Sequence, residues 1–292
     1  MRNLKKFLAL VLAMAMAFSL MLSASAATFD DKHFSDTEEV TQAFKEAVAV
    51  LTGLDVIKGD GDGDLKTIRP QSDITRAEAA ALVYRIATGD INDKQVDLYS
   101  DYSNFTDVKP KTSTDAGDWF AGYVGYCQNA GIIKGTTPTT FNPYGKVTGY
   151  EVLAMILRAV GYGKNNEFTG SSWQVNVASL AKTKHITDSI SSAQYNYSLN
   201  MNARREIVAE LLFRGSMIPQ VRWTPGLGYV EYENGQLDRT STLAGEVFGL
   251  RCDGWGNDKW GRPQIVWKAS LNPTSSPART VATLKAQPKE SF

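Results

Sequence analysis

The chain has two histidines and two cysteines, and its charges balance, with 31 basic and 31 acidic residues. Each shortage excludes something. With only His33 and His185, there is little material for a His-rich metal site or a Ser-His-Asp triad. Cys127 and Cys252 are too few for a disulfide framework. Cys127 lies in an apolar helical run and reads as a small core residue. The balanced charge gives no nucleic-acid footprint. After Leu22 no apolar run is long enough to span a bilayer.

The one long apolar stretch comes first. Arg2, Lys5 and Lys6 precede an apolar run from Phe7 to Leu22, and Ala24-Ser25-Ala26 follows. That order predicts a secretory signal peptide over 1–26, cleaved after Ala26. The leader takes three basic residues and no acidic one with it, so the remainder is mildly acidic. An exported chain without a membrane span is the expectation. A hydrophobic fraction of 43% with 21% charged residues suits a folded protein.

What the chain has in abundance is self-similarity. Ile74-Thr75-Arg76-Ala77-Glu78 opens an apolar helix after a Gly-rich loop from Gly59 to Pro70. Val147-Thr148-Gly149-Tyr150-Glu151 repeats it ahead of Val152 to Val160. Ala203-Arg204-Arg205-Glu206 is a worn third copy ahead of Ile207 to Phe213. Thr followed three residues later by Glu is a capping box, which explains Thr75, Glu78, Thr148 and Glu151 by helix initiation alone. Glu206 is assigned to the same role, with Ala203 standing where the threonine belongs. Arg76 is not explained this way, because a cation in the first turn opposes the helix dipole. An anionic ligand or a local ion pair accounts for it.

Each copy follows a first helix. Phe44, Val48 and Leu51 mark the first; Trp119, Tyr123, Cys127 and Ala130 the second; Trp173, Val177 and Leu180 the third. Ile57-Lys58-Gly59 and Ile133-Lys134-Gly135 are the same tripeptide in the same place. His185-Ile186-Thr187-Asp188 stands there in the third, with His185 read as a helix-end or surface residue. Asp60 to Asp64 begins like a calcium loop, but Leu65 and Gln71 break the EF-hand pattern, so a solvated turn is the reading. Beyond Pro219, Val230 to Glu233 with Asn234-Gly235 predicts a β-hairpin element. Trp255, Trp260 and Trp267 there suit hairpin packing or carbohydrate stacking.

Phe-x-Asp, an aromatic-led helix, Gly-Ile-Ile-x-Gly, a loop with Phe-x-Pro, then Thr-Arg-Ala-Glu: this order resembles the S-layer homology domain, over roughly Phe34 to Met217. The resemblance implies a mainly α fold, with three helix-loop-helix repeats in a pseudo-threefold unit around a central three-helix bundle and a small β-rich segment behind. The divisions are 27–100, 101–164, 165–219 and 220–292. It implies anchoring to a bacterial cell wall by binding an anionic, pyruvylated secondary cell-wall polysaccharide in grooves between repeats. By position, the carried-over ligand residues are Arg76, Arg204, Trp119, Trp173, Asp36, Asp107, Gly59 and Gly135. Either tryptophan serves equally well as core, and either aspartate as a loop-ordering group. No catalytic residue, metal or cofactor is expected; self-association in a surface layer stays open. The alternative is the anchoring region of an extracellular carbohydrate-active enzyme such as a glycoside hydrolase, but acidic residues after Pro219 are few for its two-carboxylate cleft.

Overall fold

The computed structural model describes residues 34–61, 66–191, 197–231, 242–248, 252–257 and 263–267. The signal-peptide assignment, the Asn234-Gly235 turn and Trp260 lie outside these residues. The described chain is mainly helical. Its helices are α1 (Lys45–Gly53), α2 (Arg76–Thr88), α3 (Ala121–Asn129), α4 (Gly149–Val160), α5 (Trp173–Thr183), α6 (Arg205–Ser216) and α7 (Leu243–Phe248). Two antiparallel hairpins follow α6: β1 (Val221–Thr224) with β2 (Gly228–Glu231), and β3 (Cys252–Asn257) with β4 (Pro263–Trp267). The first hairpin turns at Pro225-Gly226-Leu227, so Val230 belongs to its second strand. Val230 and Glu231 of the predicted strand pair with Arg222 and Val221.

Three inner helices, α2, α4 and α6, are buried along most of their length. In α6 every residue from Arg205 to Ser216 is buried. In α4 the run Val152 to Leu157 is buried without a break. α2, α4 and α6 touch one another pairwise, which buries them. Of the other helices, α5 buries only Val177 and Ala181, whereas α1 buries Glu46 to Leu51 and α3 buries Ala121 to Gly125. The aromatic that leads the buried stripe of α3 is Phe120, fully buried, rather than Trp119, which precedes the helix and is 56% exposed.

Each outer helix packs on the inner helix of a neighbouring unit. α3 lies on α2, α5 on α4, and α1 on α6. The order closes on itself, so no unit is complete alone. The backbone closes in the same sense. The Ile74 N–H donates to the Ala203 carbonyl, the Ala203 N–H to Val147, and the Val147 N–H to Ile74, at 2.9, 2.8 and 3.3 Å. All three residues are fully buried.

Candidate functional site

The capped helices begin at this ring. Thr75 and Glu78 form a reciprocal capping box, and so do Thr148 and Glu151. Two further first-turn N–H groups of each inner helix are taken by carbonyls of a neighbouring unit's loop. Arg76 and Ala77 donate to Gly145 and Pro143. Gly149 and Tyr150 donate to Met201 and Leu199, and Arg205 and Glu206 to Ser72 and Pro70. The helix N-termini thus clasp the units together. The Arg76 and Ala77 N–H groups are therefore not open to an anion at Arg76.

The clasp also corrects the register of the third unit. Ala203 occupies the ring position of Ile74 and Val147, and Arg204 is the N-cap residue without a side-chain cap bond. The counterpart of Arg76 is therefore Arg205, not Arg204. Its geometry agrees. Arg76 gives Nε to the Phe141 carbonyl at 2.7 Å and a terminal nitrogen to Glu151 at 2.6 Å. Arg205 gives Nε to the Ile68 carbonyl at 2.7 Å and a terminal nitrogen to Glu78 at 3.2 Å. Arg76 also donates to the Lys134 carbonyl at 2.9 Å and lies over the Phe141 ring. Only 3% of it is exposed. Burial pushes the pKa of both guanidiniums down, and the neighbouring carboxylates pull it back up.

Glu206 is corrected too. Its carboxylate does not cap α6; it accepts from the Thr41 N–H and hydroxyl at 2.8 and 2.9 Å, fixing the start of the first unit. Arg204 reaches Gln71 at 2.6 Å and Glu206 at 3.2 Å, with its side chain 30% exposed.

Asp36 accepts from the Ile68 and Arg69 N–H groups, and Asp107 from those of Phe141 and Asn142. Both order the loops that deliver the clasp. Gly59 has φ 68°, and a Cβ there would sit 2.7 Å from the Phe34 ring. At Gly135 a Cβ would meet the Thr137 and Thr140 carbonyls at 2.3 and 2.4 Å. Trp173 is half-buried against Tyr150, 6.4 Å between centroids. Trp119 stays at the surface with Tyr144, which is 68% exposed; both set their rings edge-on to Phe120 at 5.5 Å. Tyr144 sits in the loop clasped to α2, and no sequence signal singled it out.

A second arginine set runs through the same three units. Arg85 and Arg158 reach back to their own unit, to the Val56 and Ile132 carbonyls at 3.3 and 3.4 Å. Arg214 pairs with Glu210 on its own helix. His185 takes the left-handed position after α5, φ 59°, where Asp55 and Gly131 stand after α1 and α3. Cys127 is a buried free thiol donating to the Ala80 carbonyl, and burial pushes its pKa up. Asp60, from the calcium-like loop, pairs with Arg69. Among the described residues no three His, Cys, Asp or Glu side chains gather to hold a metal ion. No described helix is long and apolar enough to cross a membrane.

The S-layer homology domain family model matches residues 33–80 and 104–152, so the first two units are repeats of that domain. The chain is 31% identical over 189 residues to the middle cell wall protein of Brevibacillus brevis, covering 65% of this chain and 16% of that protein. It is 32% identical over 159 residues to a surface layer protein of Brevibacillus choshinensis, covering 54% of this chain and 13% of that protein. An amylopullulanase of Thermoanaerobacterium thermosulfurigenes is 31% identical over 129 residues, 44% of this chain and 6% of the enzyme. The chain thus spans less than a fifth of the length of these relatives.

Proposed function

We propose that residues 34–217 form three repeats related by a pseudo-threefold axis, the third strongly diverged. We propose that they anchor a secreted surface protein non-covalently to the cell wall. The ligand is an anionic, pyruvylated secondary wall polysaccharide, held in the grooves between repeats. The matched repeats and the surface-layer relatives make this a protein of the cell surface. The observation that carries the reading is the Trp119–Tyr144 pair. Two large aromatic rings are held out of the core on a buried Phe120, and the loop that carries Tyr144 is immobilised by the clasp. Such a platform suits the apolar face of a pyranose, and little ordering entropy remains to be lost on binding.

In this reading Arg76 braces the groove wall, while Arg204 offers cationic character at the surface. Asp36, Asp107, Gly59 and Gly135 shape the loops, and Trp173 lines a second groove. The partial match to an amylopullulanase supports a second setting, in which the same unit holds a carbohydrate-active enzyme at the wall. The anchoring step is the same in both.

The test is retention of the chain from Ala27 onward by purified sacculi, before and after removal of their secondary polymers. Retention that needs the polymer and falls about tenfold or more in the Trp119→Ala, Tyr144→Ala double variant supports the reading, since aromatic platforms of this kind contribute on the order of 1–3 kcal/mol. Equal retention by stripped sacculi makes peptidoglycan itself the target and overturns the assigned ligand.

A further inference from the structure

The second arginine set differs between units in a way that points to a ligand. In the first unit, Arg85 and Lys58 close on one carboxylate. Asp93 accepts from Arg85 Nε and a terminal nitrogen at 2.9 and 3.1 Å, and from the Lys58 ammonium. Asp93 lies eight residues after Arg85 with φ 54°. In the second unit, Arg158 replaces Arg85 and Lys134 replaces Lys58; each lysine stands two residues after the carbonyl that the arginine of its unit holds. Eight residues after Arg158, with φ 59°, stands Asn166. The backbone is kept and the charge is gone. In the third unit, Asp188 stands at the lysine position and Glu210 satisfies Arg214. Only the second unit keeps both cations without a carboxylate between them.

Nearby groups do not replace it. Glu167 faces Arg158 electrostatically, but its oxygens accept from the Gly163 and Asn165 N–H groups and the Tyr229 hydroxyl. Arg158 donates to the Ile132 and Phe168 carbonyls at 3.4 and 3.2 Å, long contacts beside those of Arg85 to Asp93. Lys164 Nζ lies 3.8 Å from where a Cβ on Gly131 would sit, one residue before the Ile132 carbonyl that Arg158 holds. Lys134 is exposed. Burial, then the field of Arg158, lowers its pKa, whereas Arg85 is raised by its pairing with Asp93 despite burial.

We propose that the Lys134–Arg158 corner is a carboxylate-binding site, in which an acidic group of a sugar takes the place that Asp93 fills in the first unit. The proposal rests on the anchoring reading for the source of that acid. A planar guanidinium beside an ammonium suits a carboxylate in two directions at once. The corner is also adjacent to Arg76, which holds the Lys134 carbonyl. Clasp and ligand site therefore share a short segment of backbone.

The test uses the chain from Ala27 onward and two probes. Sodium pyruvate is titrated against the protein labelled with nitrogen-15, with sodium chloride at matched ionic strength as control. Polymer-bearing sacculi, native or with their carboxylates reduced, are used for retention. The variants are Lys134→Ala and Asn166→Asp. The second restores the internal carboxylate and is expected to leave melting unchanged or raised. Saturable pyruvate shifts at the Gly131 and Gly135 amides that vanish in Asn166→Asp support the site, as does retention lowered about tenfold in both variants. If carboxylate-dependent retention is unchanged in both variants, anchoring stands and this corner is overturned. If sacculi fail to retain wild type but the pyruvate shifts persist, the anchoring reading falls and the corner stands as a small-carboxylate site. Pyruvate shifts matched by chloride overturn it.

Discussion

Two of the three junctions between neighbouring units are tied by a first-turn arginine, and one is not. Arg76 reaches Glu151 of the second unit, and Arg205 reaches Glu78 of the first. At the remaining junction Gly149 stands at the arginine position, and Ile207 stands where the capping glutamate would be. Arginine and glutamate are present together or absent together. The comparison teaches what the first-turn arginine is for. Its unfavourable meeting with the helix dipole costs up to about 1 kcal/mol. A charge-assisted contact and two carbonyls in the next unit offset that cost. Where the partner carboxylate is missing, the loop closes directly onto glycine: a Cβ at Gly149 would lie 2.9 Å from the Leu199 side chain and 3.1 Å from its Cα. A tied junction and a close-packed one are two solutions to the same contact.

The largest expected effect breaks a tied junction. Arg76→Ala strands the Phe141 and Lys134 carbonyls and leaves Glu151 without its cation. Loss of about 3 kcal/mol is expected in urea unfolding, with Arg205→Ala similar. A change below about 0.5 kcal/mol in both would show that the pairs do not brace the units. Next comes Gly149→Arg, which puts the expected side chain at the untied junction. It should destabilise by about 1–3 kcal/mol through overpacking against Leu199. Adding Ile207→Glu should not recover the loss, because the conflict is with backbone; recovery in the double variant would make the missing ion pair the whole difference.

The smallest effect is in acid and sharpens the contrast between Asp93 and Asn166. Burial alone would raise the Asp93 pKa, but Arg85 and Lys58 hold it below the ordinary range. A depressed carboxylate contributes stability that is full above the ordinary value of about 3.9 and is lost as pH falls through the folded value. Asp93→Asn should therefore flatten the stability curve below about pH 4 and leave its slope at neutral pH unchanged. Asn166→Asp should steepen the same acid limb. Parallel curves for wild type and both variants would mean that neither corner titrates as described.

Local signals carried far in this chain. Thr75 with Glu78 and Thr148 with Glu151 announced two helix starts, because a capping box is complete within four residues. The apolar runs behind them were long enough to announce central helices. The register of the third unit was misread by one residue, since Ala203-Arg204-Arg205-Glu206 imitates the motif in letters. A better signal was present: an arginine recurs nine residues into each inner helix, at Arg85, Arg158 and Arg214, counted from Arg76, Gly149 and Arg205. Helical spacing to Tyr123 put Trp119 on the helix and left it open between core and groove wall, but the helix begins only at Ala121 and Phe120 takes the buried place.

By itself the sequence determined where the two capped helices begin, which faces are apolar and that the first two units repeat, because those properties depend on neighbours along the chain. The partner of each arginine was decided only by closure of the ring. Arg76 meets Phe141 across 65 residues, and Arg205 meets Ile68 across 137. A first-turn arginine reads the same in sequence whether it faces solvent or a neighbour's carboxylate. Only the closing of a neighbouring unit's loop over it, at Phe141 for Arg76 and Ile68 for Arg205, buries it, and burial makes it a brace.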